Sequence, residues 1–266
     1  MEQIYKYFFL LSLVFLASCK EGGEKNNYPK EWGAIFEKYG VNGTFILYDL
    51  SSGQSKYYNE QRADSLYIPT STFKVLNSLI SLETNAVSNE NEIIEWDGSD
   101  KGWGGWNKDQ DMKSAISVSC VWFYQELAKR IGKKQMQEWL NYVDYGNKAM
   151  GGKIDNFWLE GDLRISAKQQ IVFLKRLVNN ELPFKIKNQE IVKKILITDT
   201  KENYVIRSKT GWGMRIEPQI GWFIGYVEKK DNKWIFAMNI DILKKTDSKL
   251  RKKIIYDILR TEKIIQ

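Results

Sequence analysis

Apolar residues along the chain keep to two different spacings, and each spacing predicts its own kind of element. Residues 31–39 repeat with helical periodicity and stop at Gly40, which predicts a first amphipathic helix with a glycine C-cap. The run 43–50 is rich in strand formers and ends at the turn Ser51-Ser52-Gly53; a second extended run over 56–59 completes a predicted hairpin. Helical periodicity then takes over in 72–82, 118–131, 134–143 and 167–179. Extended patterns return at 204–209, 221–227 and 234–240, with 229–233 as a turn, and a last helix is predicted over 249–260. Strands at both ends with helices between them predict an α+β, sandwich-like fold. Its mostly antiparallel sheet is built from both termini, with a helical lobe inserted. No internal repeat or low-complexity tract interrupts this order.

The first residues follow another pattern. Residues 1–18 combine a short polar start containing Lys6 with an apolar run over 8–17 and small residues after it, as a signal peptide does. The run is short for a membrane span, and Leu16-Ala17-Ser18-Cys19 resembles a bacterial lipoprotein cleavage box with Cys19 as the lipid-bearing residue. The alternative is an ordinary cleavable signal with an incidental cysteine. Either way the expectation is an exported protein, on the lipoprotein reading anchored by lipid to the outer membrane on its periplasmic face. Residues 19–30, polar and Gly/Asn-rich, are expected to be a flexible tether, leaving 31–266 as one domain.

Composition narrows the chemistry. With 43% hydrophobic and 14% aromatic residues among 266, the chain can bury one sizeable core. It contains no histidine, which removes the usual base of Ser-His-Asp and Cys-His enzymes and the commonest ligand of catalytic zinc. No metal is expected, and Lys, Tyr, Asp or Glu must carry any proton. Only Cys120 follows Cys19, so no disulfide is expected in the mature domain. The net charge of +7 is scattered, without an aromatic-interleaved basic motif, so no nucleic-acid partner is expected.

Among the serines, only Ser71 has a lysine three positions later, in Ser71-Thr72-Phe73-Lys74, where a helix is predicted to begin. Positions i and i+3 share a helix face, so the Lys74 amine can approach the Ser71 hydroxyl as a base approaches a nucleophile. Unpaired N–H groups at a helix start can stabilise an oxyanion. Alone the pattern is weak, but three more accompany it. Ser119-Cys120-Val121 opens an apolar predicted helix, Tyr145-Gly146-Asn147 lies between helices, and Lys209-Thr210-Gly211 ends a predicted strand. A cation, a hydroxyl and a close-approach glycine there suit a carboxylated ligand. Singly these read as a cap, a turn and a strand exit.

In this order and spacing the motifs resemble those of the class D β-lactamases, the oxacillinases of the penicillin-recognising serine enzyme superfamily. The likeness extends to Tyr124-Gln125-Glu126, Phe157-Trp158-Leu159-Glu160-Gly161, Ile220-Gly221-Trp222 and the closing helix with Arg251. It implies the serine β-lactamase/DD-peptidase fold and hydrolysis of β-lactams as small-molecule substrates by a monomer or homodimer. It implies Ser71 as nucleophile, with the backbone amides of Ser71 and Trp212 as oxyanion hole. Lys74 is the implied base, N-carboxylated by carbon dioxide; no other cofactor is implied. An amine desolvated among Phe73, Val121, Trp158 and Leu159 is kept neutral and reactive, and the Trp158 indole N–H is the implied donor to the carbamate.

Ser119, helped by Lys209, is implied to pass a proton to the leaving nitrogen, while Thr210 and Arg251 bind the substrate carboxylate. Val121 and Leu159 are implied to flank the carbamate and govern water entry, or else simply to pack. Tyr145-Gly146-Asn147 is expected to be loop architecture. Trp103 and Met214 fall where some carbapenem-hydrolysing members bridge the cleft with an aromatic and a methionine, although Trp103 also reads as a loop aromatic. Two other readings share the serine-lysine logic: a penicillin-binding transpeptidase or carboxypeptidase, and a β-lactam sensor that acylates without turnover. They differ at deacylation, where a lactamase must activate water.

Overall fold

The computed structural model describes residues 29–266; the expected signal peptide, Cys19 and all but the last two residues of the expected tether lie outside the described residues. Beginning with α1 (Lys30–Tyr39), the chain enters β1 (Gly43–Asp49) and β2 (Ser55–Tyr58), then a short α2 (Glu60–Ala63). The helical lobe holds α3 (Lys74–Glu83), α4 (Met112–Ser117), α5 (Val121–Ile131), α6 (Lys133–Val143), α7 (Ala167–Val178) and α8 (Ile186–Ile195). The chain closes with β3 (Ile197–Thr200), β4 (Val205–Trp212), β5 (Ile220–Glu228), β6 (Lys233–Asp241) and α9 (Leu250–Thr261).

The six strands form one antiparallel sheet in the order β2-β1-β6-β5-β4-β3. Both termini therefore contribute to it: Phe45 of β1 stands opposite Met238 of β6. Side chains alternate between two cores, as the two-residue repeat of a strand requires. Phe45, Phe223 and Met238 face Trp32 and Phe36 of α1 and Ile254 and Ile258 of α9. Ile46, Trp222 and Ala237 face the helical lobe. Burial on both faces makes β5 and β6 almost continuously apolar. On the lobe side α3 is buried at every position from Lys74 to Leu82, which makes it an axis around which other helices pack.

The structure differs from the pattern in three places. The helix expected over 118–131 begins only at Val121, as α5, and it is preceded by a short helix that was not expected, α4, ending at Ser117. Between them Ser119 adopts a left-handed backbone (φ 54°), which no helix can contain. Ser119 thus stands half-buried before the helix instead of inside its apolar start. The helix expected from residue 72 begins at Lys74, after a 3-10 turn over Thr70–Phe73. Finally, α8 and β3 occupy a stretch where no element was expected. Buried Gln189 donates to Leu182 O and Phe184 O (3.1 and 2.9 Å), and Lys193 donates to Asn180 Oδ1 (3.0 Å). These polar groups sit where periodicity looks for apolar ones.

Candidate active site

Ser71 sits in the 3-10 turn that feeds α3, and the turn is held from several directions. Thr70 N–H donates to Trp158 O (3.0 Å), and Trp222 Nε1 donates to Ile68 O (2.9 Å). Thr72 Oγ1 donates to Pro69 O (2.7 Å) and accepts from Gln170 Nε2 (3.0 Å). Thr70 is itself left-handed (φ 51°), a conformation that persists only where surroundings over-determine it. One turn of helix then brings Lys74 Nζ to 2.8 Å from Ser71 Oγ.

Lys74 is fully buried (0% exposed), its Nζ 5.5 Å from the centre of the Tyr124 ring, and the preceding Phe73 ring stacks on Trp158 at 5.4 Å. Burial pushes the Lys74 pKa down to about 7; nearby Arg215 adds to the shift and Cys120 opposes it. Removing water penalises the charged amine, so near neutral pH much of Lys74 can be an uncharged acceptor. The Trp158 indole N–H is also buried and has no hydrogen-bond partner among the described residues. A buried donor left unpaired costs about 1–3 kcal/mol, so it marks a place for an acceptor.

The second serine meets β4. Lys209 Nζ donates to Ser119 Oγ and to Thr210 O, the latter at 3.0 Å. Burial first, then the charges of Lys74, Arg251 and Lys252, push the Lys209 pKa well below the usual lysine value. Strand β4 crosses the nucleophile turn at Gly211, where a Cβ would lie 2.2 Å from Thr70 Oγ1. Only glycine lets the strand come this close. From α9, Arg251 donates to Gly211 O and to Ser248 O (2.6 Å for the latter), and burial lowers its pKa to about 10.

These elements enclose a cavity of about 270 Å³. Ser71, Ser119, Thr210 and Arg251 contribute to its polar lining, and Val121, Leu159, Trp103, Trp212 and Met214 line it as well. Lys74, Lys209 and Trp158 lie behind this wall, buried. Trp103 and Met214 are half exposed at 47% and 41%. Tyr145-Gly146-Asn147 stays outside the lining: Asn147 Nδ2 donates to Asp162 O and its Oδ1 accepts from Arg164 N, both at 2.9 Å, clamping the segment that carries Trp158.

Five lining residues escaped sequence reasoning: Lys101, Trp106, Val118, Gly213 and Arg215. Trp106 Nε1 donates to Val118 O (3.0 Å) and Trp122 Nε1 donates to Trp106 O (2.8 Å), which steadies the peptide just before Ser119. Arg215 pairs with Glu160 at 2.6 Å. The neighbouring Trp103, Ser119 and Met214 were the only signals for these positions.

Comparison with known proteins turns on this arrangement. Residues 37–260, which contain every lining residue of the cavity, match the penicillin binding protein transpeptidase domain family. The chain is 39% identical over 258 residues to β-lactamase OXA-48 of Klebsiella pneumoniae, covering 97% of this chain and 96% of that protein. It resembles the crystal structure of FUS-1 (OXA-85), a class D β-lactamase from Fusobacterium nucleatum subsp. polymorphum, with a TM-score of 0.88 and 42% identity over 90% of this chain and all of that one. The chain belongs to the class D β-lactamases. A further class D β-lactamase, YbXI from Nostoc, is 41% identical with a TM-score of 0.85, covering 86% of this chain and 97% of that one. Membership decides among the serine-lysine readings: this is a serine β-lactamase of the class D type, with a sheet and lobe of that fold. Within the class D frame, Lys74 and Lys209 stand beneath Ser71 and Ser119 as two buried amine–hydroxyl pairs.

Proposed function

We propose that this class D β-lactamase opens β-lactam antibiotics through a Ser71 acyl-enzyme and clears it with water activated at an N-carboxylated Lys74, conferring β-lactam resistance. The observation that carries the reading is a fully buried amine, pKa about 7, hydrogen-bonded to Ser71 at 2.8 Å. A neutral amine adds to carbon dioxide with release of one proton, and the unpaired Trp158 N–H offers the resulting anion a donor. The carboxylated side chain supplies an anionic base for the Ser71 hydroxyl and then for water.

The remaining tasks fall to the chain's own groups. Ser71 Oγ attacks the lactam carbonyl while the N–H groups of Ser71 and Trp212 stabilise the oxyanion. As the C–N bond breaks, Ser119 passes a proton to the nitrogen, and the Lys209 ammonium beside it makes that proton easier to give. Arg251 and Thr210 hold the substrate carboxylate. Leu159 and Val121 cover Lys74 and limit which water reaches the ester.

Nitrocefin turnover tests the reading. Sustained hydrolysis that rises with bicarbonate is expected, whereas a single burst without steady state would contradict it. Export as a Cys19 lipoprotein belongs to the same proposal, and the mass of the processed N-terminus tests it: an unlipidated cysteine would contradict it.

A further inference from the structure

β3 ends its pairing at Ile197, opposite Arg207 of β4, and Ser208 N–H donates to Leu196 O (2.9 Å). Beyond that point no strand among the described residues neighbours the outer edge of β4, and two cavities open along it. One is the catalytic cavity; the other, of about 290 Å³, lies between α4, β3 and α9. Thr210 lines both, so they share a wall.

The second cavity has a buried floor and an exposed rim. Ser208, Lys209 and Phe223 are buried, while Ser117, Thr198 and Lys252 are exposed. Two lysines and several hydroxyls line it together with Ile116, Ile195 and Ile197, and no carboxylate among the described residues does. The nearest acid in β3, Asp199, lies outside the lining and accepts from Tyr256 Oη (3.5 Å). Lys252 has no ion-pair partner among the described residues. A cavity with unneutralised cations on one side and apolar walls on the other suits an anion with an apolar body.

We propose that this cavity binds a small organic carboxylate between Lys252 and Lys209, and that its occupation holds Lys209 in the charged form that assists Ser119. The second half rests on the Lys209 role given above. The groups facing Lys209 are the Ser119 hydroxyl, the Thr210 carbonyl, Lys74 from α3, and Arg251 and Lys252 from α9. Arg251 and Lys252 repel the ammonium and favour its loss as pH rises, whereas Lys74, once carboxylated, attracts it. An anion placed beside Lys252 offsets that repulsion. Activity then persists to higher pH.

Benzoate is the probe, with benzyl alcohol as neutral control, and the protein is the full chain assayed with nitrocefin and by calorimetric titration. Benzoate is expected to bind and to move the alkaline limb of kcat/KM to higher pH without raising the nitrocefin KM. Lys252→Ala is expected to keep basal activity and weaken benzoate binding by about five-fold, which corresponds to roughly 1 kcal/mol for one exposed ion pair. Competition with nitrocefin, equal binding of benzyl alcohol, or unchanged benzoate affinity in Lys252→Ala would overturn the site. Lys252-dependent binding with an unmoved alkaline limb would overturn the coupling. Wild-type turnover in Lys209→Met would instead overturn the catalytic role on which the coupling rests, leaving benzoate binding to be judged by itself.

Discussion

Replacing Trp158 by phenylalanine separates the indole N–H from the ring that carries it. In the unmodified protein that N–H is buried and unpaired, and its removal relieves about 1–3 kcal/mol of desolvation. The smaller ring keeps the stack on Phe73 but leaves a void of similar cost. The thermal midpoint without bicarbonate should therefore change little. With the carbamate formed the balance is different, because a hydrogen bond to a charged acceptor contributes about 1.5–3 kcal/mol. Its loss weakens retention of carbon dioxide roughly 10- to 150-fold. Nitrocefin progress curves at graded bicarbonate measure this directly: Trp158→Phe should need at least ten-fold more bicarbonate for half-maximal activity and show biphasic curves at low bicarbonate. Melting should agree, with bicarbonate raising the midpoint of the wild type and scarcely that of the variant. Equal bicarbonate dependence in both proteins would refute the reasoning.

Other consequences are equally open to measurement. Lys74 has a folded pKa of about 7 against an ordinary 10.5, so between those values the unfolded chain binds more protons and stability of the bicarbonate-free protein rises with pH. Lys74→Met should flatten that rise in melts from pH 7 upward, although depressed Lys209 contributes in the same direction; an unchanged slope would contradict the burial argument. Gly211→Ala forces a methyl to 2.2 Å from Thr70 Oγ1, and should cost about 1–3 kcal/mol and lower nitrocefin kcat by moving β4 off the nucleophile turn; wild-type kinetics would show the contact to be unimportant. Trp103→Ala should raise the KM for a carbapenem, since Trp103 and Met214 both line the cavity; an unchanged value would assign Trp103 to loop packing alone.

Much of this architecture was legible because its elements bury one clear face. The hairpin of β1 and β2 and the glycine stop after α1 follow from patterns within a few residues. The pairing of β1 with β6 is long-range, yet the reading of a sheet built from both termini anticipated it. What escaped was written in polar residues. In α8, Asn188, Gln189 and Lys193 are buried, and each donates side-chain hydrogen bonds that no apolar period reveals. The left-handed Ser119 was equally hidden, since serine has no strong preference for that backbone and only the contacts around it select it.

At the site, the four letters from Ser71 to Lys74 put a base and a nucleophile on one turn, while the roles of Ser119 and Lys209 come from the resemblance to the class D β-lactamases. The Trp106 and Trp122 hydrogen bonds to loop carbonyls could not be seen so, because backbone acceptors carry no sequence signature.

Carbon-13 NMR of the protein equilibrated with labelled bicarbonate bears most directly on the central claim. One carbamate resonance is predicted, lost in Lys74→Ala and on acidification, its intensity tracking nitrocefin activity. Steady turnover by a protein that shows no such resonance would contradict the account.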